Sequence, residues 1–361
     1  MSTDKELRLE KILEDTYKLQ KLNEYGKAVD YVSKNLKTFE NEIQVLYELY
    51  YVQIENYFYL GEIEKALETG KALLHISKEL NNIKDITKAN LLVGEVYHIS
   101  GNLKESVIYY KNAYNLIKNE KENFLQKLKE ETIYSLANLN QHYLGNFEQS
   151  KRLYLEALEI TKLINPQKQS FYLDHLGMAS LELDQYEQAL GYHSKAEPFL
   201  VNKNDISYLY HQVQVAKVYF KLENYNQSIS ELLKFLEPNR EFFNDFKSIY
   251  DFGWIFLILA NISSKKVALD NSKVSKVEKL LNIKLNDTKE LYIKALEYAS
   301  QSKISKSLLI TTKIDLVQYL QLERPDSNES KILLREAIED AEKRQYIPLL
   351  ERAKEIEHNL R

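Results

Sequence analysis

The chain has no cysteine in 361 residues, only 9 glycines and 5 prolines, a single tryptophan and two methionines. The missing thiols exclude disulfides, thiol catalysis and cysteine-ligated zinc. So few glycines and prolines cannot punctuate a sheet with many turns or a set of long loops, which leaves long helices. No run of about 18 apolar residues occurs, and the most hydrophobic stretch, "FGWIFLILANI", is too short to span a bilayer. The N-terminal "MSTDKELRLEKILED" lacks an apolar signal core, so a cytoplasmic protein is expected. Excess positive charge is also lacking: the formal charge is −4, whereas a dedicated nucleic-acid binder is usually basic.

Catalytic patterns are absent too. No glycine-rich phosphate loop, G-x-S-x-G or H-E-x-x-H occurs, and scattered carboxylate pairs carry no weight on an acidic helical surface. No enzyme activity, cofactor or metal is expected. His98 and His142 each lie three residues before a turn glycine. A metal held by two stacked histidines is the sharper reading; a partner-contacting or hydrated side chain is the favoured one.

What the chain does have is charge on 28% of its residues, an apolar content of 44% and 27 tyrosines, a composition that builds a core. It also repeats. "VGEVYHISGNLKESVIYYKNAY" places Gly101 at a turn, then Ser106, Tyr110 and Ala113. Gly145 is followed by Ser150, Tyr154 and Ala157, and Asp184 by Ala189, His193 and Ala196. Glu223 precedes Ser228, Gly61 precedes Ala66, and Asn23 precedes Ala28. The small residues at 28, 66, 106, 150, 189 and 228 are spaced by 38, 40, 44, 39 and 39 residues.

A period of this length marks stacked helical pairs. The turn residue ends a first helix in the left-handed conformation. The small residue marks a close crossing by the second helix, as Gly94 and Gly177 do on first helices. The aromatic four residues later shares its face. Tyr97, Tyr110, Tyr154, Tyr219 and Tyr292 therefore read as core residues rather than base-stacking platforms. Trp254 falls in a helix buried on both sides.

Further on, Thr288, Tyr292 and Ala295 repeat the pattern, but 60 residues after Ser228. The excess, residues 263–287, is a polar, Lys-rich insertion with a short helix of its own, read mainly as a solvated loop. A last pair follows, with a turn at "ERPDSN", and residues 345–361 form a capping helix.

These residues resemble the tetratricopeptide repeat family, in the subgroup whose repeats run to about forty residues rather than about thirty-four. Asn138 departs from the family's small residue. The resemblance covers nearly all of residues 1–361 and implies an all-α, right-handed solenoid superhelix. It would have about eight helical pairs and a capping helix.

Family resemblance also implies a ligand groove lined by first helices. Counted back from each turn, the groove positions are Tyr51, Glu55 and Phe58; Leu91, Glu95 and His98; Ser135, Leu139 and His142; Phe171, Asp174 and Met178; and Tyr210, Val213, Lys217 and Phe220. Where co-chaperone relatives carry a cationic carboxylate clamp, this chain has Tyr51, Glu55 and Glu95, which argues against capture of a C-terminal carboxylate. A peptide with apolar anchors and basic residues fits better.

The expected function is a non-enzymatic scaffold for a protein or peptide, with neither nucleic acid nor membrane as partner. The alternative is a peptide-responsive bacterial signalling regulator, without its own DNA-binding domain, acting through an effector. Homodimerisation through terminal helices is left open.

Overall fold

Every turn residue singled out by the repeat adopts the left-handed conformation. Asn23, Asp184 and Glu223 have φ of 57–58°, and Gly61, Gly101 and Gly145 have φ of 75°, 81° and 68°. Every paired small residue is fully buried: Ala28, Ala66, Ser106, Ser150, Ala189 and Ser228 expose nothing. These two facts generate the architecture. A left-handed residue lets the chain double back, and a small residue lets the next helix lie against the last.

A computed structural model describes residues 3–240, 252–301, 306–325 and 327–359. Among these residues there are 18 α-helices and no strand. The pairs are α1 (Thr3–Lys21) with α2 (Tyr25–Leu36), α3 (Ile43–Leu60) with α4 (Ile63–Leu80), and α5 (Ile83–Ile99) with α6 (Leu103–Ile117). Next come α7 (Asn123–His142) and α8 (Phe147–Ile164), α9 (Gln169–Glu182) with α10 (Tyr186–Ala196), and α11 (Ile206–Lys221) with α12 (Tyr225–Leu236). Helix α13 (Phe252–Ser264) pairs with α15 (Thr288–Gln301) across the inserted α14 (Asn271–Leu281), and α16 (Ser307–Glu323) with α17 (Asn328–Arg344). Helix α18 (Ile347–Asn359) closes the series. Eight pairs and a final helix are thus present; residues 360–361 of the expected cap and Asp326 of the last turn lie outside the described residues.

The turns share one hydrogen-bond pattern. In the first of the glycine turns, Gly61 N–H donates to Phe58 O at 3.0 Å and Glu62 N–H to Tyr57 O at 2.9 Å. The same two bonds recur at Asn23, Gly101, Asp184 and Glu223. They satisfy helix-end carbonyls that would otherwise be orphaned. The Gly145 turn is wider: Asn146 N–H reaches back six residues, to Asn140 O at 2.9 Å.

Two compact units emerge, Met1–Leu136 and Ala137–Arg361. In the first, Tyr47, Ile54, Leu73 and Ala89 centre one core, and Val32, Val45 and Leu49 another. In the second, the largest core gathers Leu209, Phe235, Ile255, Leu259, Tyr292 and Leu316. Helix α13 is buried almost throughout, as expected for "FGWIFLILANI". Tyr110, Tyr154 and Tyr292 are buried core residues, while Tyr97 and Tyr219 are half-buried.

The insertion differs from a solvated loop. Asp270 caps α14 by accepting from Ser272 N–H at 2.9 Å, and Val277, Ile283 and Leu285 are buried in the large core. Val277 on α14, with Ile283 and Leu285 in the segment just after it, gives the insertion an apolar side to bury, a signal that its lysine-rich composition masks.

Candidate functional site

In the first unit, helices α3 and α5 present Tyr51, Glu55, Phe58, Leu91, Glu95 and His98. Tyr51 is half-buried, with the Lys88 ammonium 5.8 Å from its ring centroid. Burial raises the Tyr51 hydroxyl pKa, and Glu55, Glu95, Glu131 and Tyr17 raise it further, so these groups share one neighbourhood. Glu55 is pushed up to about 6 by burial and then by Glu95, against a smaller lowering from Gln20. Glu95 is exposed by area, yet surrounding protein desolvates its carboxyl and raises its pKa. A carboxylate that ionises reluctantly is one whose charge lacks a sufficient counterpart.

The other positions in this unit are quieter. His98 packs edge-on to Tyr110, with ring centroids 6.4 Å apart, and burial lowers its pKa to about 4. It is therefore neutral at physiological pH. Phe58 meets the Tyr59 ring at 5.5 Å, and Leu91 joins the Ile117–Leu125–Leu128 cluster. Ser135 donates its hydroxyl to Glu131 O at 3.1 Å within α7.

In the second unit the expected positions divide. Leu139, Asp174 and Val213 are buried at 0–2% exposure and offer no surface to a ligand. Helix α9 packs on both sides, so positions that face a groove elsewhere are covered here. His142, Phe171, Met178, Tyr210, Lys217 and Phe220 remain half-buried. His142, Phe171 and Tyr210 surround His175 at centroid distances of 6.3, 4.5 and 6.0 Å, and Tyr154 stacks on it at 4.9 Å. Burial first, and His142 second, depress the His175 pKa to about 3. Tyr210 donates its hydroxyl to Met178 Sδ. Phe220 lies 5.7 Å from Tyr225. The ring partner of His142 is His175 and that of His98 is Tyr110.

Lys217 places its ammonium 3.4 Å from the Trp254 ring centroid. Glu182, at the end of α9, is exposed by area, yet surrounding protein desolvates its carboxyl and raises its pKa, against a lowering from Lys217, Lys221 and Arg352. Trp254, at the start of an apolar first helix, thus adjoins Lys217 beyond the positions predicted from the sequence.

Asp174 takes a different part. Its Oδ1 lies 2.7 Å from Nδ1 of both His193 and His211, and all three side chains are buried. One carboxylate oxygen at hydrogen-bond distance from two rings joins α9, α10 and α11. Burial alone would raise the Asp174 pKa, but the hydrogen bonds from His193 and His211 outweigh it and hold the carboxyl below its usual range. A 2.7 Å separation is a hydrogen-bond length rather than the wider spacing of two ligands on one metal ion.

No family model matches the chain, and no curated protein matches it. Solved structures do. The apo form of RapI matches with a TM-score of 0.64 at 16% identity, over 89% of this chain and 82% of that one. The apo quorum sensor NprR from B. thuringiensis matches at 0.57 and 16%, over 91% and 86%. A Rap protein complexed with competence and sporulation factor matches at 0.53 and 12%, over 98% and 97%.

The chain has the fold of a tetratricopeptide-type helical solenoid. At these identities the likeness is one of fold. It identifies the helical pairs as solenoid repeats. Their first helices present an acidic Tyr51–Glu55–Glu95 neighbourhood in the first unit and an aromatic and cationic one in the second. None of its described helices is long and apolar enough to cross a membrane.

Proposed function

We propose that this chain is a non-enzymatic, cytoplasmic scaffold that binds a protein or peptide on the first-helix faces of its repeats. The observation that carries the reading is Glu55, held up to about 6 by burial and by Glu95, beside the Tyr51 ring. A lysine or arginine of a bound peptide would supply the missing counter-charge, and Tyr51 would pack against its methylene stem. The formal charge of −4 disfavours nucleic acid as the partner.

A second reading, a peptide-responsive regulator acting through an effector protein, is favoured by the ligand-bound state of two similar structures. One is the Rap protein with competence and sporulation factor. The other is the Rap conjugation gene regulator of plasmid pLS20 with the Phr* peptide, at a TM-score of 0.52 and 12% identity.

The test is affinity capture from a lysate of the native host, with co-purifying proteins and peptides identified by mass spectrometry. Wild type is compared with a variant carrying Glu55→Lys and Glu95→Lys. A basic peptide or protein captured by wild type and lost in the variant is the expected result. A partner held equally well by both would remove the acidic neighbourhood from the binding site. A small peptide found as the occupant would favour the regulator.

A further inference from the structure

A groove of about 560 Å³ opens between the second helices α4 and α6 of unit Met1–Leu136. Its floor is the first half of α5, which packs against both. None of the first-helix positions described above lines it. Helix α6 contributes one complete stripe. Glu105, Ile108, Tyr109, Asn112, Asn115 and Leu116 recur at the three- and four-residue steps that put side chains on one helical face. From Glu105 to Leu116, at about 1.5 Å per residue, the stripe is about 16 Å long. Leu74 and Lys78 face it from α4, and Ile86 and Asn90 from α5.

The lining is mixed in an ordered way. Ile108 is 49% exposed in the middle of one wall. Tyr109 stacks on Tyr97 with centroids 5.3 Å apart, which holds its ring as a rigid edge. Three carboxamides lie among these groups. Asn90 donates Nδ2 to Ile86 O at 2.8 Å, which leaves Oδ1 as the acceptor it can offer. Asn115 Oδ1 accepts from Lys118 Nζ at 3.0 Å, which leaves Nδ2 as a donor. Asn112 is exposed, makes no hydrogen bond among the described residues, and offers both. The two ends carry opposite charges. Successive helices run antiparallel, so α4 and α6 share a direction. Lys78, in the last turn of α4, therefore lies toward Leu116, and Glu105, in the first turn of α6, lies at the other end. Neither makes an ion pair among the described residues.

We propose that this groove is a second binding site, for an extended segment of a partner protein with apolar side chains at alternate positions. The segment carries an acidic residue toward Lys78 and a basic one toward Glu105. An extended chain rises about 3.3 Å per residue, so about five residues span the stripe. Its backbone N–H and C=O groups need partners. The acceptor of Asn90, the donor of Asn115 and the two-way amide of Asn112 supply them. Alternate side chains then point down onto Leu74, Ile86, Ile108 and Leu116. A helical segment fits less well. Its backbone is already bonded to itself, so it would bury three carboxamides without partners, at a cost for each. The groove shares no residue with the first-helix faces, so either site can fail without the other.

The probe is a phage-displayed library of random nonapeptides, selected on the full chain and counter-selected on Ile108→Glu. That substitution puts a carboxylate in the groove at an exposed position and leaves the core untouched. Peptides held by wild type and lost by the variant are synthesised with capped ends, and fluorescence anisotropy measures their binding. The expected sequences alternate apolar residues between one acidic and one basic residue. Their binding should weaken about tenfold in Ile108→Glu, where a charge is buried unpaired. It should weaken about fivefold in Asn112→Ala, where one amide is lost. Lys78→Glu should reverse the charge selected at that end. Unchanged circular dichroism and urea midpoints show that the variants fold, and Asn112→Ala carries the test should Ile108→Glu not. A library that yields no such peptide, or peptides held equally by wild type and the groove variants, would overturn the site. Selected sequences with apolar residues at i, i+3, i+4 and i+7 would overturn the extended occupant.

Discussion

Oδ1 of Asp174 lies 2.7 Å from Nδ1 of His193, and both side chains are buried in the stack of α9 on α10. The same oxygen is equally close to His211 on the following first helix. The carboxylate is a polar joint between three successive helices.

Removing it leaves two buried imidazoles without their partner. Asp174→Ala is expected to destabilise the protein by about 3 kcal/mol in urea unfolding near neutral pH. The sign with pH follows from a depressed pKa. The contribution of Asp174 is complete above the unfolded aspartate value of about 3.9 and fades as pH falls through the lower folded value. The gap between wild type and variant should therefore narrow only below about pH 4. A constant gap down to pH 2 would show that the carboxylate is not ionised in the fold.

Glu55 behaves oppositely. Its folded pKa is raised to about 6, so the fold prefers the protonated form. That preference is fully expressed below the unfolded value and is lost as pH rises through 6. Glu55→Gln keeps the shape without the charge and should stabilise the free protein by about 1 kcal/mol at pH 7, after allowance for solvent screening, and by little at pH 4. Thermal denaturation at the two pH values reads this directly; stabilisation of the same size at both would deny the shift. Capture of a basic peptide should strengthen as pH rises from 5 to 7, because the attracting charge appears over that interval.

Gly177 and Gly191 are helical glycines with opposite surroundings. A Cβ on Gly177 would sit 2.4 Å from the His193 ring, whereas one on Gly191 meets nothing within 4 Å. Gly177→Ala should cost about 1–3 kcal/mol by pushing His193 off Asp174. Gly191→Ala should gain about 0.5–1 kcal/mol from helix propensity alone. Opposite signs in the same denaturation assay are the expected outcome. Equal effects would mean that the close crossing of α9 and α10 does not depend on Gly177.

The parts of this molecule that repeat were readable from the sequence, because each depends on residues close in the chain. Turn residues such as Asn23 and Glu223, and small residues such as Ala66 and Ser228, obey local geometry and recur. Groove positions were less readable. Asp174 matched a ligand-facing offset, but His193 occupies the place held by Tyr110 and Tyr154 in neighbouring repeats and draws the carboxylate inward. That exchange of tyrosine for histidine was visible; its consequence required His211, 37 residues away from Asp174. The stacking of Tyr143 on Tyr346 was not visible at all. It depends on curvature accumulated from small rotations over several repeats, which no local pattern encodes.

The turns yield the last prediction. Glu223 adopts φ 57° with a side chain that the left-handed region disfavours, while Gly101 adopts φ 81° without one. Both end a first helix with the same pair of backbone hydrogen bonds. Glu223→Gly should relieve strain but also loosen the unfolded chain, for a net gain of about 0.5 kcal/mol. Gly101→Ala should lose about 1 kcal/mol, since a side chain in the left-handed region is strained. Matched urea titrations of the two variants test whether the turn conformation, rather than the glycine itself, is what the repeat requires. If Glu223→Gly destabilised the protein as much as Gly101→Ala, the glutamate side chain would be holding its turn through contacts of its own.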